Sequence, residues 1–445
     1  MKANNLFNLV SLGCPKNRVD SERILAVMTS AGFTFTEDAG AAAVIIINTC
    51  AFIEPAVQES IDTILDYRED NKDAFIVVAG CLPMRYKGDL EESLPEVNLF
   101  LPADRIQELP GIVRTALRTH DKDRDHAFSL EQQKTASSPG RVLTTAGYAY
   151  LKIAEGCSRS CRYCTIPSIR GPLQSTDCGQ LEREAHFLAS RGVRELILVA
   201  QDLTAYGGEK GEKKALIQLL RRLDRVEGIR WIRLMYLYPD TIPRDLATTI
   251  TESEKILPYL DIPLQHVSEK VLKAMGRPWK GNRIRKLIES LKMQVPGLAL
   301  RTTLMVGYPA EGETEFRELS DFVATCDIEH VGVFTYSPEE GTSAFQLGDP
   351  VPGDVKDARA EELRSIHSEK MLKRNRRRIG SVEECLVQGV SLESDLLLEG
   401  RLWHQAPEID GTLYITAGNA IPGEIHRVRI TGTHESDFFG ELTAE

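Results

Sequence analysis

The chain has 445 residues, of which 42% are apolar and 27% charged, and carries a net charge of −11; that is the make-up of a globular protein with two or three domains, not of a disordered or fibrous one. The longest apolar run, 41–47, is far too short to cross a bilayer, and the first thirteen residues lack the basic start and apolar core of a secretion signal. A cytoplasmic protein is therefore expected, with nine cysteines acting as ligands or core residues and not as disulfides.

Strands are predicted at 7–12, 42–47 and 75–79, with helices at 20–31 and 56–67. Alternation of this kind implies right-handed crossover units and an open parallel βαβ sheet. Cys14, Cys50 and Cys81 each fall within three residues of the C-terminal end of a strand. Those ends share one edge of a parallel sheet, where ligands gather, so topology predicts a three-thiolate site that no local motif announces. Taken singly, each also reads as an inert core cysteine. The polar stretch 119–146, with Ser137-Ser138-Pro139-Gly140, reads as a linker after a first domain at 1–118.

Strands resume at 149–154, 194–199, 230–237, 259–264, 299–306 and 330–335, separated by helices at 179–190, 213–226, 268–275, 283–292 and 313–326. Six strand–helix units predict a partial (β/α)6 barrel, open on one side, with its chemistry at the C-terminal ends of the strands. Just past its first strand lie Cys157, Cys161 and Cys164, a Cys-x₃-Cys-x₂-Cys run with Tyr163 before the last cysteine. Three thiolates this close hold three corners of a [4Fe–4S] cube and leave the fourth iron open for chemistry. Structural zinc would want a fourth ligand nearby, and the next cysteine is Cys178.

A helix at 357–378 ends in Lys373-Arg374-Asn375-Arg376-Arg377-Arg378, which reads as an RNA- or carboxylate-facing run or as a solvated helix end favoured by the dipole. Short strands at 384–390, 395–403, 413–416 and 426–431, with an Asp410-Gly411 turn, predict a small antiparallel β-barrel. The later domains are thus 147–378 and 379–445. The segment 381–445 holds twelve acids against three bases, a net −9. Such a surface repels phosphate backbones and attracts basic proteins; the plainer alternative is solubilising charge.

Three domains in this order, with three cysteines in the first and the Cys-x₃-Cys-x₂-Cys run in the second, resemble the radical S-adenosylmethionine (SAM) methylthiotransferases. The resemblance rests on Ser11-Leu12-Gly13-Cys14-Pro15-Lys16-Asn17, Asn48-Thr49-Cys50 and Ala79-Gly80-Cys81, on Glu155-Gly156-Cys157 through Arg170-Gly171, and on Asp261-Ile262-Pro263-Leu264-Gln265-His266. The last domain looks like the family's TRAM domain. Cys-Pro-Lys-Asn and Ala406-Pro407-Glu408-Ile409-Asp410-Gly411 look like the branch acting on an aspartate of protein twelve of the small ribosomal subunit. The acidic last domain favours such a basic protein over the transfer RNA adenosines that sister branches modify.

The resemblance implies two [4Fe–4S] clusters, one on Cys157, Cys161 and Cys164 and an auxiliary one on Cys14, Cys50 and Cys81. It implies SAM in two roles: source of a 5′-deoxyadenosyl radical that abstracts hydrogen from the aspartate β-carbon, and donor of the methyl in the methylthio group. Catalysis then needs no protein nucleophile beyond the cluster ligands. Tyr163, Gln201, Asp202, Gly307 and Glu311 are the candidate SAM contacts, the last four at strand ends. Each of those four also reads as an ordinary strand-end residue, and His266, beside Gln265, as a pocket residue or a bonded core histidine. The sequence departs from the family where Tyr308-Pro309-Ala310-Glu311-Gly312 replaces Phe-Pro-Gly-Glu-Thr, and at Thr176, where relatives carry arginine. Cys178, Cys326 and Cys385 match no motif and read as structural. Expected partners are a basic small-subunit ribosomal protein as substrate, no membrane and no nucleic acid substrate; nothing identifies the electron donor. The competing assignments are a transfer RNA enzyme of the same chemistry, a zinc-containing nucleic-acid-binding protein, and a cluster scaffold without catalysis.

Overall fold

The computed structural model describes residues 5–86, 88–119, 140–277 and 281–443. It divides into two compact units. The first comprises residues up to Thr144 together with Thr165–Gly171, and the second comprises Thr145–Cys164 and the chain from Pro172 onward.

The first unit is a parallel sheet in the order β2-β1-β3-β4-β5, built from β1 (Leu6–Ser11), β2 (Thr34–Phe35), β3 (Val44–Thr49), β4 (Phe75–Gly80) and β5 (Leu99–Pro102). Strands β3 and β4 are buried along their whole length, as expected for a parallel sheet covered on both faces. Their side chains alternate between two cores. Val44, Ile46, Val77 and Ala79 pack with α1 (Pro15–Ser30) and α5 (Leu109–Thr119). Ile45, Ile47, Ile76 and Val78 pack with α2 (Glu54–Asp70), α3 (Cys81–Tyr86) and α4 (Asp89–Ser93). Each buried isoleucine or valine contributes about 1.5–3 kcal/mol. Ile169 of α6 (Ile166–Arg170) joins the second core, which is why this short helix belongs to the first unit.

Helix α1 begins at Pro15, five residues earlier than its apolar periodicity predicts, because Pro15 presets the first helical φ and Cys14 occupies the cap position. Of the predicted linker, 120–139 lies outside the described residues, and its end is docked on the first unit. Arg141 donates to buried Glu22 (Nε to Oε2, 3.0 Å), and Thr144 meets the same carboxylate through its hydroxyl.

The second unit holds six parallel strands in sequential order: β6 (Tyr148–Lys152), β9 (Glu195–Val199), β10 (Trp231–Leu234), β11 (Ile256–Asp261), β12 (Ala299–Val306) and β13 (His330–Thr335). A two-stranded ribbon, β7 (Ala154–Glu155) with β8 (Gln174–Ser175), flanks the cysteine loop. The predicted strand at 259–264 starts and ends three residues earlier. Pro263 has no N–H to continue the ladder, and the chain rejoins the sheet only by a bridge from Gln265 to Leu304, with Gln265 at φ +69°. The predicted helix at 357–378 runs from Gly353 to Arg376. Arg374 of the basic run pairs with Asp327 and Arg378 with Glu383, so part of the run is tied down at the helix end.

The C-terminal strands, β14 (Val382–Val390), β15 (Leu398–Leu402), β16 (Leu413–Ala417), β17 (Ile425–His434) and β18 (Asp437–Leu442), close into a barrel. Four seams are antiparallel, whereas β16 and β18 run parallel. Strand β18 escaped prediction because its hairpin turn places Glu435, not glycine or asparagine, at positive φ. Cys385 lies in the core of this barrel.

Buried ion pairs fasten the barrel to the parallel sheet. Glu195, fully buried, accepts from Arg233 Nε at 2.7 Å and Arg401 Nη2 at 2.5 Å. Asp410 accepts from Tyr259 Oη (2.6 Å), Arg301 Nη1 (3.4 Å) and the Ala406 N–H (2.9 Å). Removing one partner of such a pair leaves a buried uncompensated charge, at a cost of about 3–5 kcal/mol. Glu195→Gln, which strips both buried arginines of their shared carboxylate, should lower the urea midpoint followed by circular dichroism accordingly, and by more than Arg401→Met, which leaves Glu195 paired with Arg233.

Candidate functional site

The first-unit site is set by strand register. Thr49 pairs with Gly80, so the next residues, Cys50 and Cys81, leave adjacent strands together. Cys14 follows β1, which is held against β3 through Ser11 opposite Asn48 and the Leu12 N–H on the Asn48 carbonyl. Gly13 and Gly80 both have positive φ (+87° and +93°). A Cβ on Gly13 would lie 2.7 Å from the Cys50 Cβ, and one on Gly80 would meet the Thr49 carbonyl at 2.6 Å. Only glycine lets the three loops approach this closely.

A buried polar lattice fixes the loops. Asn17 Nδ2 donates to the carbonyls of Leu12 (3.0 Å) and Thr49 (2.8 Å), joining the loops of Cys14 and Cys50. Thr49 Oγ1 donates to the Ala79 carbonyl (2.6 Å) and accepts from the Leu82 N–H (3.2 Å), joining those of Cys50 and Cys81. Ser60 Oγ clasps Cys50 by both its N–H and its carbonyl. Arg170 reaches the sulfur of Cys81 with Nη2 at 3.1 Å.

The thiols also influence one another electrostatically. Burial pushes Cys50 up to about 11, opposed by a backbone donor at Phe52, and the neighbouring Cys81 and Cys14 add to the rise. Burial likewise raises Cys81, against the Arg170 guanidinium, with Cys14 again contributing. Two buried thiolates and the half-buried Cys14, in mutual repulsion, need a positive partner, and iron meets that need. The donor set fits an iron–sulfur cluster.

In the second unit, Cys157, Cys161 and Cys164 lie on the loop after β7. Both sides of Arg162 are pinned: its N–H donates to the Met275 carbonyl (3.0 Å), and its carbonyl accepts from the Ala344 N–H (2.8 Å). Tyr163 packs against Val271, Met275, Tyr308 and Tyr336, and its hydroxyl accepts from Arg277 Nη1 at 3.2 Å. Arg277 also donates to the Pro263 carbonyl (2.7 Å) and lies 4.4 Å from the Tyr238 ring centroid. Arg159 stacks on the same ring at 4.1 Å and pairs with Asp202 at 2.7 Å. Asp202 thus braces the cysteine loop.

Gln201 donates from Nε2 to Glu155 at 2.7 Å, while its buried Oε1 has no hydrogen-bond partner among the described residues. An acceptor waiting at a strand end suits the ammonium of an amino-acid ligand. Gly307, at φ +76°, donates its N–H to Glu311 Oε1 at 2.9 Å. Glu311 also pairs with Arg359 (2.7 Å) and His266 Nε2 (3.1 Å), so its buried carboxylate locks the turn after β12. Because His266 Nδ1 accepts from the Ser268 N–H, Nε2 carries the proton given to Glu311. His266 is a bonded core histidine.

Among the described residues, no three His, Cys, Asp or Glu side chains converge as holding a single metal ion requires. No helix among them is long and apolar enough to cross a membrane.

Sequence comparison gives three family matches: uncharacterized protein family UPF0004 at residues 7–102, the radical SAM superfamily at 151–323 and the TRAM domain at 379–443. The ribosomal protein uS12 methylthiotransferase RimO of Aquifex aeolicus is 43% identical over 98% of this chain and 97% of its own. The same enzyme of Pelobacter propionicus is 44% identical, with the same coverage. The chain belongs to the uS12 methylthiotransferase family. Among solved structures, the radical SAM methyltransferase TsrM from Kitasatospora setae, with cobalamin and a [4Fe–4S] cluster bound, aligns with a TM-score of 0.54 at 13% identity over 74% of this chain and 72% of that one, a likeness of fold. With that membership the chain is a radical SAM enzyme carrying two [4Fe–4S] clusters.

Sequence reasoning put Cys14, Cys50 and Cys81 just past strand ends, where the structure has them, but missed the residues that support the cysteine loops. Asn17, Thr49 and Arg170 stood inside the quoted motifs, so the signal was present without a role. Arg159 likewise stood inside the cysteine run without a role, whereas Tyr238 and Arg277 carried no motif, because only the fold brings them to the cysteine loop. Gly13→Ala or Gly80→Ala should lower reconstituted iron and sulfide by about half, since only the first-unit site is disturbed; full metal content would contradict the packing argument.

Proposed function

We propose that this chain inserts a methylthio group at the β-carbon of an aspartate in ribosomal protein uS12. The observation that carries the reading is full-length identity above 40% with uS12 methylthiotransferases, in a chain holding both cysteine trios. Cys157, Cys161 and Cys164 are assigned one [4Fe–4S] cluster, and Cys14, Cys50 and Cys81 the auxiliary one. When bound, these clusters and SAM supply a carbon-centred radical and a methylated sulfur, chemistry that no side-chain acid or base offers at neutral pH.

The chain's own residues position and shield. In this reading Gln201 Oε1 accepts from the SAM ammonium, and Gly307 lets backbone pass close to the cofactor. Tyr163, held by Arg277, keeps the cysteine loop in place. Asp202 and Glu311 act through the braces they form with Arg159 and with the turn at Gly307. The barrel at 379–443 presents Glu393, Asp395, Glu408, Glu424, Glu435 and Glu441 to solvent, a face suited to a basic protein. We place the enzyme in the cytoplasm, where the small ribosomal subunit is made.

The deciding experiment offers uS12 and bulk transfer RNA together to the anaerobically reconstituted enzyme with SAM, a reductant and sulfide. A methylthio mass on one aspartate of uS12 and none on RNA is expected; modified adenosine would overturn the substrate. In the same assay Cys161→Ala should abolish 5′-deoxyadenosine formation. Cys50→Ala should keep it while stopping sulfur insertion, and loss of both activities would count against two separate clusters. Charge reversal of Glu393, Asp395, Glu424 and Glu441 to lysine should weaken uS12 binding about tenfold or more at low salt; unchanged affinity would remove the electrostatic argument.

A further inference from the structure

Arg170 is carried on α6, only a few residues beyond Cys164 in the chain, yet its contacts lie in the first unit. Its Nε and Nη2 stand 3.3 and 3.1 Å from the Cys81 sulfur, Nη2 also donates to Asn17 Oδ1 at 2.5 Å, and Nη1 pairs with Asp20 Oδ2 at 3.2 Å. The side chains of Arg170 and Asp20 are 3% and 4% exposed. Bracing a short helix does not require a charge at this depth. A buried guanidinium is costly unless its partners satisfy it, and an apolar side chain beside Ile169 would pack α6 without that cost.

What distinguishes Arg170 is where its planar fork points: two N–H groups converge on the sulfur of one candidate cluster ligand. Hydrogen bonds to ligand sulfur draw electron density away from iron and make a cluster easier to reduce. Asp20, on the far side of the same guanidinium, opposes that effect with its negative charge.

We propose that Arg170 is a positioning residue that orients the Cys81 thiolate and sets the reduction potential of the auxiliary cluster, with Asp20 as its counterweight. The proposal rests on Cys14, Cys50 and Cys81 holding a cluster. Arg170 acts through two separable properties, its positive charge and its forked donor geometry. Lysine keeps the first and loses the second, whereas methionine loses both.

The test uses the full chain with Cys157, Cys161 and Cys164 changed to alanine, so that only the auxiliary cluster remains. Its midpoint potential and paramagnetic resonance spectrum are measured for Arg170, Arg170→Lys, Arg170→Met and Asp20→Asn. The expected order is a negative shift for Arg170→Met, a smaller negative shift with altered g-values for Arg170→Lys, and a positive shift for Asp20→Asn. A merely structural arginine would lower iron content in all three variants and leave the potential of the remaining clusters where it was; that result overturns the proposal. If Arg170→Met binds no cluster, the opposite shifts of Arg170→Lys and Asp20→Asn still decide. A parent chain that takes up no iron would overturn the cluster assignment itself, a different failure from unchanged potentials in a chain that does.

Discussion

Parallel pairing of β1, β3 and β4 is the constraint on which the auxiliary site depends. Side chains remote in sequence emerge side by side because the ladder carries Thr49 and Gly80 to the same level and the chain then turns. Both faces of that sheet are buried in apolar cores, so the register cannot slip by one residue without exchanging every isoleucine and valine between them. The placement of sulfur is therefore secured by hydrophobic packing, and Cys81 itself belongs to one of the two cores.

Crowding thiolates at a buried edge works against both burial and mutual repulsion. The structure meets this with polar residues that serve the loops: Asn17 and Thr49 join neighbouring loops, Ser60 holds the Cys50 backbone, and Arg170 brings positive charge to Cys81. The second cysteine loop is handled differently. Its trio is local in sequence, so the fold has only to hold the loop, through Arg162 to Met275 and Ala344 and through the Tyr163–Arg277–Tyr238–Arg159–Asp202 chain.

The same economy explains the motif at Ala406–Gly411. Read from sequence it marks a family branch. In the fold, Asp410 is a buried latch accepting from Tyr259, Arg301 and the Ala406 backbone. Glu311 similarly looked like a cofactor contact by its position after a strand, and the structure shows its carboxylate closing the turn at Gly307 with Arg359 and His266. Strand-end polar residues are ambiguous in sequence because a turn and a ligand ask for the same chemistry.

The sequence by itself determined the fold class, the alternation of strands and helices, and the places of the cysteines at strand ends and on one loop. Apolar periodicity and local spacing are properties of neighbouring residues, and the Cys-x₃-Cys-x₂-Cys run needs no distant partner to be read. Tertiary structure alone decided that α6 joins the first unit, that Asp437–Leu442 closes the barrel beside Leu413–Ala417 in parallel, and that Arg170 lies against Cys81. Each of these depends on residues far apart along the chain meeting at hydrogen-bond distance. Such meetings are set by packing, which leaves no periodic trace in the residues that meet.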